Sequence, residues 1–200
     1  MKVSEALEHR RAVKHFDATH EMPAAEFKKM MDLVLYSPTS FNIQNWRFVH
    51  VTDKDKRAQI KEAAWNQAQI TDASALIILC ADVNAWKKDP ARYWKHAPKE
   101  TADMLVPMIG SFYEGREWIQ RDEAFRSVGI AAQSLMLLAK EMGYDSCPMI
   151  GFDQDAVAKI INLPKDHVIG MIVTIGKQKT AAHPRGGSID YTEAVIENNF

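Results

Sequence analysis

The run SALIILCAD, Ser74 to Asp82, carries no charged or amide side chain between its two ends. A strand with one wet face alternates apolar with polar residues, so an unbroken apolar run of this length reads as a central strand buried on both faces. The rest of the chain must supply that cover. Trp46 to Val51 alternates large apolar with polar residues and predicts a second strand with one buried face. HVIGMIVTIGK, from His167, predicts a further buried strand, and CPMIGFD, Cys147 to Asp153, a short strand followed by a turn at Gly151.

Helical spacing fills the gaps between these runs. Ser4 is a candidate N-cap for a short first helix carrying Leu7. Pro23 suits the first turn of a second helix, in which Phe27, Met30, Met31, Val34 and Leu35 recur on one face. That helix must stop before Pro38, because a residue preceding proline is pushed out of the helical region. KDKRAQIKEAA reads as a surface helix, and Asp122 to Met142 as a core helix ended by Gly143. Asp153 is positioned to cap another. NAWKKDPARYWKHAPKETAD, with two prolines and many charges, reads as an excursion of short helices at about 84–120, and AAHPRGGS opens a C-terminal tail. Helices, strand, helix, strand, helices, strand is the order of an α+β or α/β sandwich around one sheet, and residues 1–200 are expected to form one domain.

Composition removes several function classes. Lys plus Arg number 25 against 26 for Asp plus Glu, a net charge of -1 that argues against a dedicated nucleic-acid binder. No apolar run approaches the roughly 18 residues that span a bilayer. The first residues, MKVSEALEHRR, lack the apolar core of a signal peptide, so a cytoplasmic location is expected. Two cysteines, Cys80 and Cys147, make neither a disulfide framework nor a metal site, and Cys80 reads as a small core hydrophobe. The chain has no G-x-G-x-x-G after a strand, no P-loop, no nucleophile elbow and no H-E-x-x-H, and its histidines show no zinc-ligand spacing. No catalytic side chain stands out. If the chain is an enzyme, a bound cofactor carries its chemistry.

The polar signals that remain are each open to two readings. Arg10, Arg11 and Lys14 place three cations within five residues, either a phosphate grip or a solvated helix end. Ser37, Thr39, Ser40, Asn42, Gln44 and Asn45 offer donors and acceptors suited to the edge of a heteroaromatic ring, or simply to turns. Asn66, Gln67 and Gln69 either line a site or cap a helix. Gly151 permits close backbone approach to a ligand or serves an ordinary turn. Arg185, in HPRGG, is either an anion ligand or solvated.

Their order along the chain is more specific than any one of them. RRAVKHF, then SPTSFNIQNWRFV, then GIAAQSLMLLAKEMGYDSCPMIGFD, then LPKDHVIGMIVTIGKQK before HPR together resemble the nitroreductase family, from about Val3 to Arg185. The resemblance implies a three-layer α+β sandwich with a mainly antiparallel central sheet flanked by helices, in an intertwined homodimer with FMN at the subunit interface. It implies hydride transfer from NADH or NADPH through flavin N5 to a small acceptor, a nitro compound, quinone or similar, by a ping-pong mechanism. An FMN-binding carrier or redox sensor with little turnover is the alternative.

The resemblance also distributes roles. Arg10 and Arg11 would face the flavin phosphate and ribityl chain, and Lys14 the pyrimidine edge. Pro38, Thr39, Ser40, Asn42 and Gln44 match the block that reaches the flavin from the neighbouring subunit. Asn66 and Gln69 match positions near the ring's polar edge and the nicotinamide pocket. Pro148, Met149, Ile150 and Gly151 match a segment passing the N5 face, and Arg185 a second phosphate ligand. Three departures stand out. Ala12 replaces a serine common in relatives, Ile150 stands where some nitroaromatic-reducing relatives carry an acid, and Asn45 replaces the proline of a QPW form.

Overall fold

The computed structural model describes residues 1–200. Four strands, β1 (Trp46–His50), β2 (Ala75–Asp82), β3 (Asp145–Met149) and β4 (His167–Gly176), form one sheet in the order β1-β2-β4-β3. Every neighbouring pair is antiparallel. The sheet is thus antiparallel throughout, where the family resemblance implied mainly so.

The doubly apolar β2 does what its composition demands. All eight of its residues are buried. Ala75, Ile77, Leu79 and Ala81 face a core shared with α2 (Ala24–Val34) and α6 (Glu117–Glu141), through Met30, Val34, Val128, Leu135 and their neighbours. Leu76, Ile78 and Cys80 face the other way, into a core closed by Ile60 of α3 (Lys54–Ala63), Ile70 of α4 (Gln69–Asp72) and Val157 of α7 (Gln154–Ile160). The period of two along one strand therefore makes a sandwich of three layers. A β-bulge between Leu79 and Cys80 interrupts its register with β4. Gly170 of β4 lets α6 come close, since a Cβ there would lie 2.4 Å from Cγ1 of Val128.

Several expectations are corrected. α1 runs Val3–His9, so Ser4 lies inside it; Lys2 occupies the cap position, and its backbone N–H donates to Glu5 Oε2 at 2.9 Å. α6 begins at Glu117, ahead of Asp122, because the polar residues of its first turns are helix formers without an apolar stripe. The excursion contains two 3₁₀ turns, Ala85–Lys87 and Pro90–Trp94, but also a full fifteen-residue helix, α5 (Lys99–Tyr113). Pro107 and Gly110 disguise α5 in the sequence. The tail beyond β4 is largely exposed and holds one short helix, α8 (Tyr191–Ala194). Asp153 caps α7 as expected, accepting from the Ala156 N–H at 2.9 Å. No helix is long and apolar enough to cross a membrane.

Candidate cofactor site

The basic segment is bound to the outer edge of β3. After α1 the chain extends, Ala12 forms a parallel bridge with Ser146, and the Val13 N–H donates to the Ser146 carbonyl at 3.0 Å. Further on, Phe16 bridges Gln178 and the Asp17 N–H donates to the Lys177 carbonyl at 2.8 Å. Val13 and Phe16 are buried in the core, which leaves Lys14 between them exposed. The cations are consequently fixed by core packing rather than carried on a loose helix end.

The tail brings the third arginine to them. Arg185 Nη2 donates to the carbonyls of Glu8 at 3.1 Å and Arg10 at 3.3 Å, while Arg11 Nη2 donates to the His183 carbonyl. Arg10, Arg11 and Arg185 so gather where the end of α1 meets the tail. Lys14 lies beside Cys147 of β3: burial pushes that thiol up, and the Lys14 ammonium opposes the shift. None of these four cations takes part in an ion pair of this chain. Gathered positive charge without carboxylate partners is suited to an anion such as a phosphate.

At its end β3 delivers Pro148, Met149, Ile150 and Gly151 to a second polar group. Gln67 Nε2 donates to the Gly151 carbonyl at 2.8 Å, and Gln69 Nε2 donates to Gln67 Oε1 at 3.0 Å. Gln69 is buried, so it orients Gln67 from behind, whereas Asn66 is exposed. Trp65 and Asn66 both hold left-handed backbone, with φ of 54° and 59°. The Trp65 ring lies against Gly151, where a Cβ would come within 2.9 Å of its Cζ3. Ile150 is 73% exposed and Trp65 68%, which gives this end of β3 an apolar, uncharged lip. Sequence reading left Gln67 undecided and passed over Trp65, because nothing in a sequence marks a tryptophan with positive φ.

The amide-rich loop lies elsewhere. It leads into β1, the strand at the opposite edge of the sheet from β3. Three inter-strand steps of about 4.8 Å put roughly 14 Å between the two edges. Thr39 Oγ1 accepts from the Gln44 N–H at 2.9 Å, and Arg47 Nη1 donates to the Gln44 carbonyl at 2.8 Å. Phe41, Asn42 and Gln44 have φ of 51°, 55° and 42°. Asn adopts such backbone readily, but for Phe41 and Gln44 it costs about 1–3 kcal/mol each and persists only where the surroundings impose it. Pro38, Thr39, Ser40, Asn42 and Gln44 therefore form one group, and the basic segment with residues 148–151 another, on separate sides of one chain.

At the mouth of the excursion, Lys88 Nζ reaches Asp82 at 2.7 Å and Asp166 at 2.6 Å, and His167 Nδ1 lies 2.8 Å from Asp166. These acids already share an ammonium, so the cluster is an ion-pair latch joining the excursion to the ends of β2 and β4.

The nitroreductase family model matches residues 7–177, and the chain belongs to that family. It is 56% identical over 178 residues to Protein DrgA of Synechocystis, spanning 89% of this chain and 85% of that one. It is 29% identical over 191 residues to the oxygen-insensitive NADPH nitroreductase of Helicobacter pylori strain 26695, spanning 90% of each. A crystal structure from Exiguobacterium sibiricum, solved in complex with FMN, superposes with a TM-score of 0.88 at 27% identity, covering 98% of this chain and 96% of that one.

Proposed function

We propose that this chain is an FMN-dependent oxidoreductase that passes hydride from NADH or NADPH to a small acceptor in a two-stage, ping-pong cycle. FMN, when bound, supplies the hydride chemistry at ring N5. The observation that carries the reading is the gathering of Arg10, Arg11 and Arg185, without carboxylate partners, beside the edge of β3, the strand that leads to Gly151. Likeness to an FMN-bound protein and to an NADPH nitroreductase supports it.

The residues present suit that cofactor. The three arginines would hold the phosphate with planar, multi-donor contacts. Lys14 would place a positive charge at the pyrimidine edge, where electron density collects on reduction. The Gly151 backbone, held by Gln67 on its carbonyl and by the Trp65 ring where a Cβ would stand, would present a fixed edge to the ring. Ala12 brings no hydroxyl to this edge, so the grip falls to its cationic neighbours.

The loop carrying Pro38, Thr39, Ser40, Asn42 and Gln44 would reach the ring from a second copy of the chain, because β1 and β3 lie at opposite edges of one sheet. That separation supports a homodimer with two shared sites. The lip of Trp65 and Ile150 carries no charge and suits flat, neutral acceptors such as quinones or nitro compounds. The experiment is direct: the purified chain should show a flavin spectrum, or acquire one with FMN, and lose its yellow colour under anaerobic NADH or NADPH. A chain that cannot be loaded with FMN overturns the reading.

A further inference from the structure

We propose that the aromatic cluster of the excursion, centred on Phe112 and Tyr113, is a clamp that fixes the ring-binding loop and thereby sets how tightly the flavin is held. The inference rests on the FMN reading above. Its starting point is the backbone of the loop: Phe41, Asn42 and Gln44, none of them glycine, are left-handed within four positions. Such a segment holds its shape only when other parts of the protein impose it. The contacts that impose it come from the excursion. The Phe41 ring is tilted against Phe112 with centroids 5.4 Å apart and stands edge-on to Tyr113 at 6.2 Å. Ile43, 2% exposed, is buried in one cluster with Ile109 and Tyr113. Asn42 Nδ2 donates to the Tyr93 carbonyl at 2.9 Å.

Asn42 thereby changes its role. Its amide nitrogen is committed to Tyr93, and its Oδ1 accepts from Gln44 Nε2 at 3.3 Å. Asn42 presents Gln44 instead of meeting the ring itself. The Tyr113 hydroxyl is buried beside Ser40 of the same loop without completing a well-formed hydrogen bond, so this side chain reaches the loop mainly through its ring. Phe112 and Tyr113 are accordingly positioning residues, which reach the cofactor through the loop.

The clamp has a signature that distinguishes it from general loss of structure. It acts on the loop that grips the ring, whereas the arginines act on the phosphate. The cofactor-free chain is titrated with FMN and with riboflavin. Phe112→Ala is expected to weaken both by about tenfold or more, the equivalent of releasing one strained residue, with the ratio of the two affinities unchanged. Tyr113→Ala should do the same, and the conservative Tyr113→Phe should restore binding. Arg185→Ala should weaken FMN alone. Should Phe112→Ala fold poorly, Asn42→Ala, at an exposed position, provides the second test through the Tyr93 contact and should also weaken both flavins equally. Unchanged binding of both flavins, or loss confined to FMN, in Phe112→Ala or in Asn42→Ala would overturn the clamp. A wild-type chain that binds neither flavin would instead overturn the FMN reading on which it stands.

Discussion

Arg57 shows how much a single side chain can organise without any acidic partner. Its Nε donates to the Val51 carbonyl at 2.8 Å, Nη1 to Ala73 at 2.7 Å and Nη2 to Ser74 at 3.2 Å. One guanidinium thus joins the exit of β1 to the entry of β2, and burial pulls its pKa down. Arg57→Ala would leave those carbonyls short of a donor, and hydrogen bonds to charged groups contribute about 1.5–3 kcal/mol each. Allowing for water reaching the vacated space, the expected loss is about 2–4 kcal/mol, read as a lower urea midpoint at unchanged slope. Arg57→Lys, with no planar fork, should recover only part of it. In the sequence, Arg57 is one more cation in KDKRAQIKEAA, a stretch read as a surface helix. Its reach across to the sheet depends on where the strands end, which residue spacing does not encode. Trp65 was invisible for a related reason: left-handed backbone is set by the contacts around Gly151 and not by tryptophan's own preference.

At the level of elements, the latch between the excursion and the sheet has a definite response to acid. The Asp166 carboxyl is lowered to about 2 from its ordinary 3.8, first by the hydrogen bond from Lys88 and then by that from His167. A carboxyl with a depressed folded pKa stabilises the protein above its unfolded value, near 3.9, and loses that contribution as the pH falls through the folded one. Wild-type stability should therefore decline between about pH 4 and about pH 2 more steeply than that of Asp166→Asn, which lacks the contribution at every pH. Urea unfolding at stepped pH would show the two curves converging in acid; parallel curves would contradict the latch. Elements with a simple period were legible: the two faces of β2, the apolar stripe of α2 and the capped α7 all follow from spacing. α5 was not, because its proline and glycine are ordinary signs of a break, and packing of Ile109 and Tyr113 outweighs them.

Across the whole molecule, the proposed division of the site between the two edges of the sheet makes a prediction about mixtures. A chain altered at Arg10 and Arg185 should bind FMN poorly, as should a chain altered at Thr39 and Gln44. Unfolded together and refolded, they should form mixed dimers in which one site carries both defects and the other carries none. Recovery of tight FMN binding in the mixture, measured by flavin fluorescence against each parent refolded alone, supports the shared site. Absence of recovery would place both groups on one chain's own site. The ordered motifs made the family legible, and the proposed sharing between subunits starts from that resemblance. The connection of basic segment to tail was not legible, since Arg185 was read as a ligand without its bonds to the carbonyls of Glu8 and Arg10.

That connection has a further consequence. Arg11 and Arg185 spend donors on backbone carbonyls at the meeting point with Arg10, no carboxylate balances their charge, and like charges brought together repel. A dianion settling among them would turn mutual aversion into attraction at the seam between the two ends of the chain. The nucleotide would then serve as a fastener as well as a reagent, tightening the amino-terminal helix and the trailing segment against each other each time it docks.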